Sequence, residues 1–206
     1  MSTMPSKRKL TQEEYLVIER ASETRSEFYD GVMYAMSGAS RWHGRIAVNL
    51  IAKLDAQLGE SPCQVFNNDL RVDLAATGSY AYPDVVGVCG EPRFRDDADD
   101  TLLNPVLAIE VLSPSTESFD RGGKFARYRR ISSLKEYVLV SQDRMMVERF
   151  RRHGDSGEWI LTEFMQPDDL LEFESIGCAV SLREIYARVE LPDEAEDHGI
   201  PDSSPR

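Results

Sequence analysis

Val106-Leu107-Ala108-Ile109-Glu110-Val111-Leu112 is an apolar run with one carboxylate inside it. Its length and near-continuous hydrophobicity, starting at Pro105, predict a strand covered on both faces. Ser113-Pro114-Ser115-Thr116 ends the run. Residues from about 119 to 131 then read as a helix, although Gly122 and Gly123 weaken its first turn. Glu136-Tyr137-Val138-Leu139-Val140-Ser141 reads as the next strand. A strand–helix–strand crossover demands a parallel pair. Hairpin signals elsewhere demand antiparallel pairs. The expectation is an α/β fold (α+β mixed sheet): a central mixed β-sheet flanked by helices, with an N-terminal helix and a β-hairpin.

Upstream, Thr11 and Glu14 have capping-box spacing, so a short helix should run to about Arg20. Residues 26–36 read as a hairpin turning at Asp30-Gly31. Ser40 is placed to cap a helix over 41–58, whose stripe is Ile46, Leu50, Ile51, Leu54 and Leu58 and whose stop is Gly59. Strands are expected at 64–67, at 70–74 and at 82–88, the last with Pro83 at its start, where a missing N–H is tolerable. The polar stretch 91–100 reads as a loop. Segments 146–151 and 159–164 read as a hairpin across 153–158, followed by a short strand near 171–173 and a helix from Ser181 to about Val189. One domain over 1–190 is expected, with 191–206 an acidic, disordered tail.

The 206 residues carry 41% hydrophobic and 29% charged side chains, ordinary for a globular chain. No run approaches a membrane span, and the basic N-terminus lacks the apolar stretch of a secretory signal. Cys63, Cys89 and Cys178 form no zinc spacing, and their odd number argues against a disulfide framework. A cytoplasmic location fits that reading. Net charge is −12, of which residues 191–206 hold −4 and the rest −8. Such a chain does not hold nucleic acid by bulk electrostatics; it needs a local basic patch or metal ions.

Two acids stand out. Asp84 follows Pro83 at the start of one apolar strand, and Glu110 lies within another, 26 residues on. Burying a charge is costly unless it is paired or metal-bound. Two carboxylates on adjacent strands make an oxygen-rich pocket suited to Mg²⁺ or Mn²⁺, which can activate water for phosphodiester cleavage. The plainer alternative makes Asp84 a turn acid and pairs Glu110 with a buried arginine. Lys124, on the helix after the Glu110 strand, is a third candidate: its ammonium could orient water and offset charge on phosphorus. Equally, it could be one solvated cation among Arg121, Arg127, Arg129 and Arg130, which are either a phosphate footprint or a solvated face. Tyr128 lies one helical turn on, on the face of Lys124. Trp42, Tyr80, Tyr82 and Phe94 read as core or loop packing.

Pro83-Asp84 and Glu110-Val111-Leu112-Ser113-Pro114-Ser115-Thr116, with Asp120 and Lys124 beyond, resemble the Uma family, whose members are described as putative restriction endonucleases within the PD-(D/E)xK nuclease superfamily. The similarity extends from Glu27-Phe28-Tyr29-Asp30-Gly31 through Ser37–His43 to the strand ending near Val140. It implies a restriction-endonuclease-like core and a DNA-cutting Asp84–Glu110–Lys124 site that uses Mg²⁺, with Mn²⁺ an alternative. It also implies that the lysine of the superfamily pattern, whose place two residues after the glutamate is Leu112 here, has moved to Lys124. Glu27 and His43 recur near the site in the family pattern, as a further metal-shell carboxylate and a phosphate contact or proton shuttle; alone, each is also a plain strand-edge acid or helix-terminal histidine. Asp69 is a weaker candidate. DNA is the expected partner, RNA or a nucleotide being chemically possible, and cutting both strands of a duplex makes a homodimer plausible. The competing reading is a catalytically silent module with this fold that binds nucleic acid or a protein.

Overall fold

The structure, a computed structural model, describes residues 8–74, 77–154 and 157–192. The expected tail lies almost wholly outside the described residues. Chain order begins with helix α1 (Gln12–Ala21), hairpin strands β1 (Ser26–Tyr29) and β2 (Val32–Ala35), and the long helix α2 (Arg41–Leu58). Strands β3 (Cys63–Asn67), β4 (Arg71–Asp73), β5 (Tyr80–Ala81), β6 (Val85–Cys89), β7 (Thr101–Leu102) and β8 (Leu107–Leu112) follow. A helical segment is built of α3 (Glu117–Phe119), a π turn (Asp120–Lys124) and α4 (Phe125–Tyr128). Then come β9 (Glu136–Ser141), β10 (Val147–His153), β11 (Glu158–Phe164), β12 (Leu170–Phe173), β13 (Cys178–Ser181) and α5 (Leu182–Ile185).

Local chemistry sets these elements. The Thr11–Glu14 capping box starts α1, and the Ser40 hydroxyl accepts from His43 N–H at the start of α2. Asp30 and Gly31 both take positive φ, 52° and 87°, as a two-residue hairpin turn requires. Gly59, at φ 49°, stops α2.

The strands form mixed sheets. Six lie in the order β11-β10-β9-β8-β6-β3 and five in the order β2-β1-β5-β4-β7; β12 and β13 pair separately. The β8–β9 crossover is parallel, as the connection between them demands. Alternation along the six-stranded sheet sorts its side chains between two layers. Leu107, Ile109, Val111, Val138 and Val140 meet the α2 stripe and the β12–β13 pair. Ala108, Leu112, Val86, Val88, Tyr137 and Leu139 face the other sheet and the helical segment. Glu110 shares the parity of the second set. The sheet therefore aims it between layers, not at solvent.

Several expectations change. The strand expected over 82–88 is β6 and starts only at Val85: residues 82–84 are no strand but the link by which the chain leaves β5 of the other sheet after Ala81. Pro83 lacks an N–H and restricts Tyr82, so the ladder breaks there and the chain crosses between sheets. The helix expected over about 119–131 begins at Glu117, ends at Tyr128 and widens into the π turn. The final helix spans only Leu182–Ile185, preceded by the unexpected β13. Cys63 and Cys89 are disulfide-bonded, correcting the cysteine reading. Far apart in sequence, they are register partners of the antiparallel β3–β6 pair. Cys178 is free and buried. The inference from cysteine usage to a reducing compartment falls with that bond. No helix among the described residues is long and apolar enough to cross a membrane.

Candidate active site

The break at Pro83 is what delivers Asp84. In the β6–β8 ladder Val85 faces Ile109 and Val86 faces Ala108, so one further step of the register sets Asp84 opposite Glu110. Residues opposite each other in an antiparallel pair share a face. Asp84 Oδ2 accepts from Val111 N–H at 2.7 Å, and Asp84 Oδ1 lies 2.8 Å from His43 Nε2. The first turn of α2 thus orients one oxygen and the β8 backbone the other. Both acids are buried, Asp84 at 9% and Glu110 at 4% exposure.

Lys124 is not a solvated helix residue. It is buried, with Nζ 3.0 Å from Glu110 Oε2, 3.0 Å from Glu27 Oε1 and 3.4 Å from Asp120 Oδ1. The π turn is the local cause. It turns Asp120 and Lys124 inward together, and the Tyr137 hydroxyl donates to the Asp120 carbonyl at 3.0 Å. Such turns recur at functional sites in helices. Glu27 Oε1 also accepts from Tyr82 N–H at 3.2 Å. Glu27 is thereby committed to Lys124 and the backbone before Pro83.

Electrostatics follow from this geometry. Burial drives the Glu110 carboxyl well above the ordinary carboxylate range; Lys124 pulls it back, and Asp120, Asp84 and Glu27 push it up again. Burial acts to lower the Lys124 ammonium, but Glu110, Glu27, Tyr29 and Asp120 outweigh it, and its pKa rises. Burial also raises Asp120, against Lys124. Glu110 Oε1 has no hydrogen-bond partner among the described residues, nor does the Tyr128 hydroxyl, which burial and then the Glu110 charge push up. Orphaned buried polar atoms are rare, and here one of them is an oxygen of a buried carboxylate.

Asp84, Glu110, Glu27, His43, Asp120 and Lys124 all line one cleft of about 670 Å³. Tyr128 does not. It is fully buried beneath the site, its ring centroid 5.1 Å from that of Tyr137. Asp69 is outside the cleft, paired with Arg25 and Asn67. Arg121 pairs with Glu117 and Glu148 and Arg127 with Asp30, while Arg129 and Arg130 are exposed, so the arginines form no single patch over the site. Tyr29, Asp120 and Gln142 belong to the cleft although sequence reasoning gave them no role. Asp120 stands four residues before Lys124, and Tyr29 shares the strand parity of Glu27; both spacings were available signals.

The cleft carries five carboxylates, on Glu27, Asp30, Asp84, Glu110 and Asp120, against Lys124 and Arg127. Among the described residues, no three His, Cys, Asp or Glu side chains form a ready cation cage. A full cage is not required for Mg²⁺, which is held by one or two carboxylates plus waters and substrate phosphates. Asp84 and the unpartnered Glu110 oxygen are donors of that kind.

A family model described as "Putative restriction endonuclease" matches residues 12–183. Two uncharacterized proteins of Synechocystis sp. (strain ATCC 27184 / PCC 6803 / Kazusa) are similar: one is 38% identical over 86% of this chain and 92% of its own length, the other 39% identical over 80% and 92%. The fold resembles a crystal structure from Anabaena variabilis ATCC 29413, described as a putative nuclease belonging to DUF820. The TM-score is 0.72 at 18% identity, covering 86% of this chain and 97% of that one.

Proposed function

This chain belongs to the Uma2 family of restriction-endonuclease-like proteins, and we propose on that premise that it is a divalent-metal-dependent endonuclease hydrolysing DNA phosphodiester bonds. The observation that carries the reading is the Lys124–Glu110 contact of 3.0 Å beside a Glu110 oxygen without a partner, in the cleft that also holds Asp84. Asp84 and Glu110 would hold Mg²⁺, or Mn²⁺ in its place. When bound, that ion supplies positive charge to the phosphate and acidifies water. The residues do the rest. Val111 N–H and His43 fix the Asp84 carboxylate. Lys124 places an ammonium where charge grows on phosphorus, and needs no reorganisation because Glu27 and Asp120 already hold it. His43 Nε2 can hold or pass a proton at Asp84 Oδ1. Glu27 positions Lys124.

An excess of carboxylates repels a phosphodiester, so the cation is also an entry requirement. We take 1–190 as one domain and the working form as a homodimer, one site per strand. A cytoplasmic location follows from that substrate, and there the reducing poise works against the Cys63–Cys89 bond. Conversion of supercoiled plasmid is expected with Mg²⁺ or Mn²⁺, and not with EDTA or in Asp84→Ala. No conversion by wild type under any divalent metal favours the silent module, which is supported by one observation: Lys124 already pairs with three acids without a metal ion.

A further inference from the structure

Three aromatic side chains of the same cleft, Tyr29, Tyr34 and Phe119, have no part in the proposed chemistry. Tyr34 is 53% exposed and Phe119 38%. Tyr29 joins them: its ring centroid is 5.9 Å from Tyr34 and 4.9 Å from Phe119, the second contact edge-on at 71°. The Arg127 guanidinium lies 5.2 Å from the Tyr29 ring and 5.9 Å from the Phe119 ring. It is tied to Asp30 and to the Gly123 carbonyl, so it braces the rings. Gly123 completes the seat. A Cβ there would stand 2.7 Å from Phe119 Cε2. A glycine inside a helical segment costs stability, and here it leaves space for a ring.

Exposed rings on a cleft wall gain little for folding. Every nucleobase, however, has a π-face, and stacking on an aromatic side chain is worth about 1–3 kcal/mol per base. In a perfect duplex both faces of a base are already covered, so only an unpaired base can use such a wall. We propose that Tyr34 and Phe119, braced by Tyr29 and Arg127, form a stacking platform for an unpaired nucleobase beside the carboxylates. The substrate is then a single strand, or a nucleotide turned out of a duplex. This rests on the nuclease reading of the carboxylate centre.

The test is fluorescence anisotropy in Ca²⁺ with the full chain and three fluorescein-labelled probes: a short oligothymidylate, a perfect duplex, and a duplex with one unpaired thymidine. Wild type is expected to prefer an unpaired probe over the perfect duplex. The oligothymidylate leading identifies a single strand; the bulged duplex leading identifies a turned-out nucleotide. Phe119→Ala and Tyr34→Ala should each weaken the preferred probe by about 5- to 150-fold and leave perfect-duplex affinity unchanged. Phe119→Trp should restore binding. Gly123→Ala, which keeps the ring but displaces it, should weaken binding as Phe119→Ala does. Absence of binding by wild type, or unchanged affinity in both alanine variants, overturns the platform. Weakened variants of a wild type that cuts nothing keep the platform and end the nuclease reading. Plasmid cleavage by wild type, with the preferred probe's affinity unchanged in both alanine variants, does the reverse.

Discussion

Lys124 Nζ sits 3.0 Å from Glu110 Oε2, a buried ammonium on the π turn against a buried carboxylate on the adjoining strand. The same ammonium is shared with Glu27 and Asp120. One cation among three acids leaves the site electronegative, and Asp84 adds to the excess.

Lys124→Ala strands two buried acids, Glu110 and Asp120, and removes the cation from the half-buried Glu27. Breaking a buried ion pair from one side costs about 3–5 kcal/mol, so the urea midpoint at neutral pH should fall sharply, with part of the loss recovered in acid as the carboxyls protonate. Assayed at a temperature where the variant is folded, turnover should fall by about 100-fold or more. Lys124→Arg should rescue poorly, because a guanidinium fork does not fit the place of a compact ammonium. Wild-type turnover in the alanine variant would show that Lys124 is a structural cation alone.

Glu110→Gln should behave in the opposite way without metal. The wild-type Glu110 pKa is raised by burial on folding. Its contribution to stability is therefore fully present below the ordinary glutamate range and lost as pH rises through the folded value. Glutamine removes that dependence, while Lys124 keeps Glu27 and Asp120. In EDTA at neutral pH the variant should melt at or above wild type, by up to about 4 °C, and the difference should shrink toward acid. A large loss at neutral pH would mark the Lys124–Glu110 pair as primarily structural.

The Cys63–Cys89 bond ties the edge strand β3 to β6, the strand that begins beside Asp84. With the bonded positions 26 apart in sequence, the chain-entropy account gives about 3.5 kcal/mol of stabilisation. Denaturation with and without dithiothreitol should show a loss of about that size, reproduced by Cys63→Ser without reductant. Identical curves would show that the bond is absent in solution.

Much of this arrangement is legible in the sequence where the signal is local or periodic. The α2 stripe, the Asp30-Gly31 turn and the Thr11 capping box are of that kind, and so is the strand that carries Glu110. What escapes is set by contacts between distant segments. Pro83 reads as a strand start, but its consequence, a crossing from one sheet to the other, depends on which strands flank it. The π turn is held from a distant strand by the Tyr137 hydroxyl, and nothing in the 119–131 periodicity marks it. Cys63 and Cys89 meet only through the β3–β6 register. At the site, Asp84, Glu110 and Lys124 reach one cleft, as do Glu27 and His43, while Tyr128 lies beneath it. Asp120 and Tyr29 stand inside the strings that carry the family resemblance, but nothing local distinguishes them from their neighbours as site residues.

The central claim is that Asp84 and Glu110 together hold the divalent cation that lets this acidic cleft accept a phosphodiester. Titration of Mn²⁺ followed by electron paramagnetic resonance addresses it directly, since free and bound Mn²⁺ give different signals. The account predicts a saturable Mn²⁺ site on the wild-type chain, competed by Mg²⁺, weakened at least tenfold in both Asp84→Asn and Glu110→Gln, and retained in a folded Lys124→Ala variant. Equal Mn²⁺ affinity in wild type, Asp84→Asn and Glu110→Gln, or no saturable site in the wild type, would contradict it.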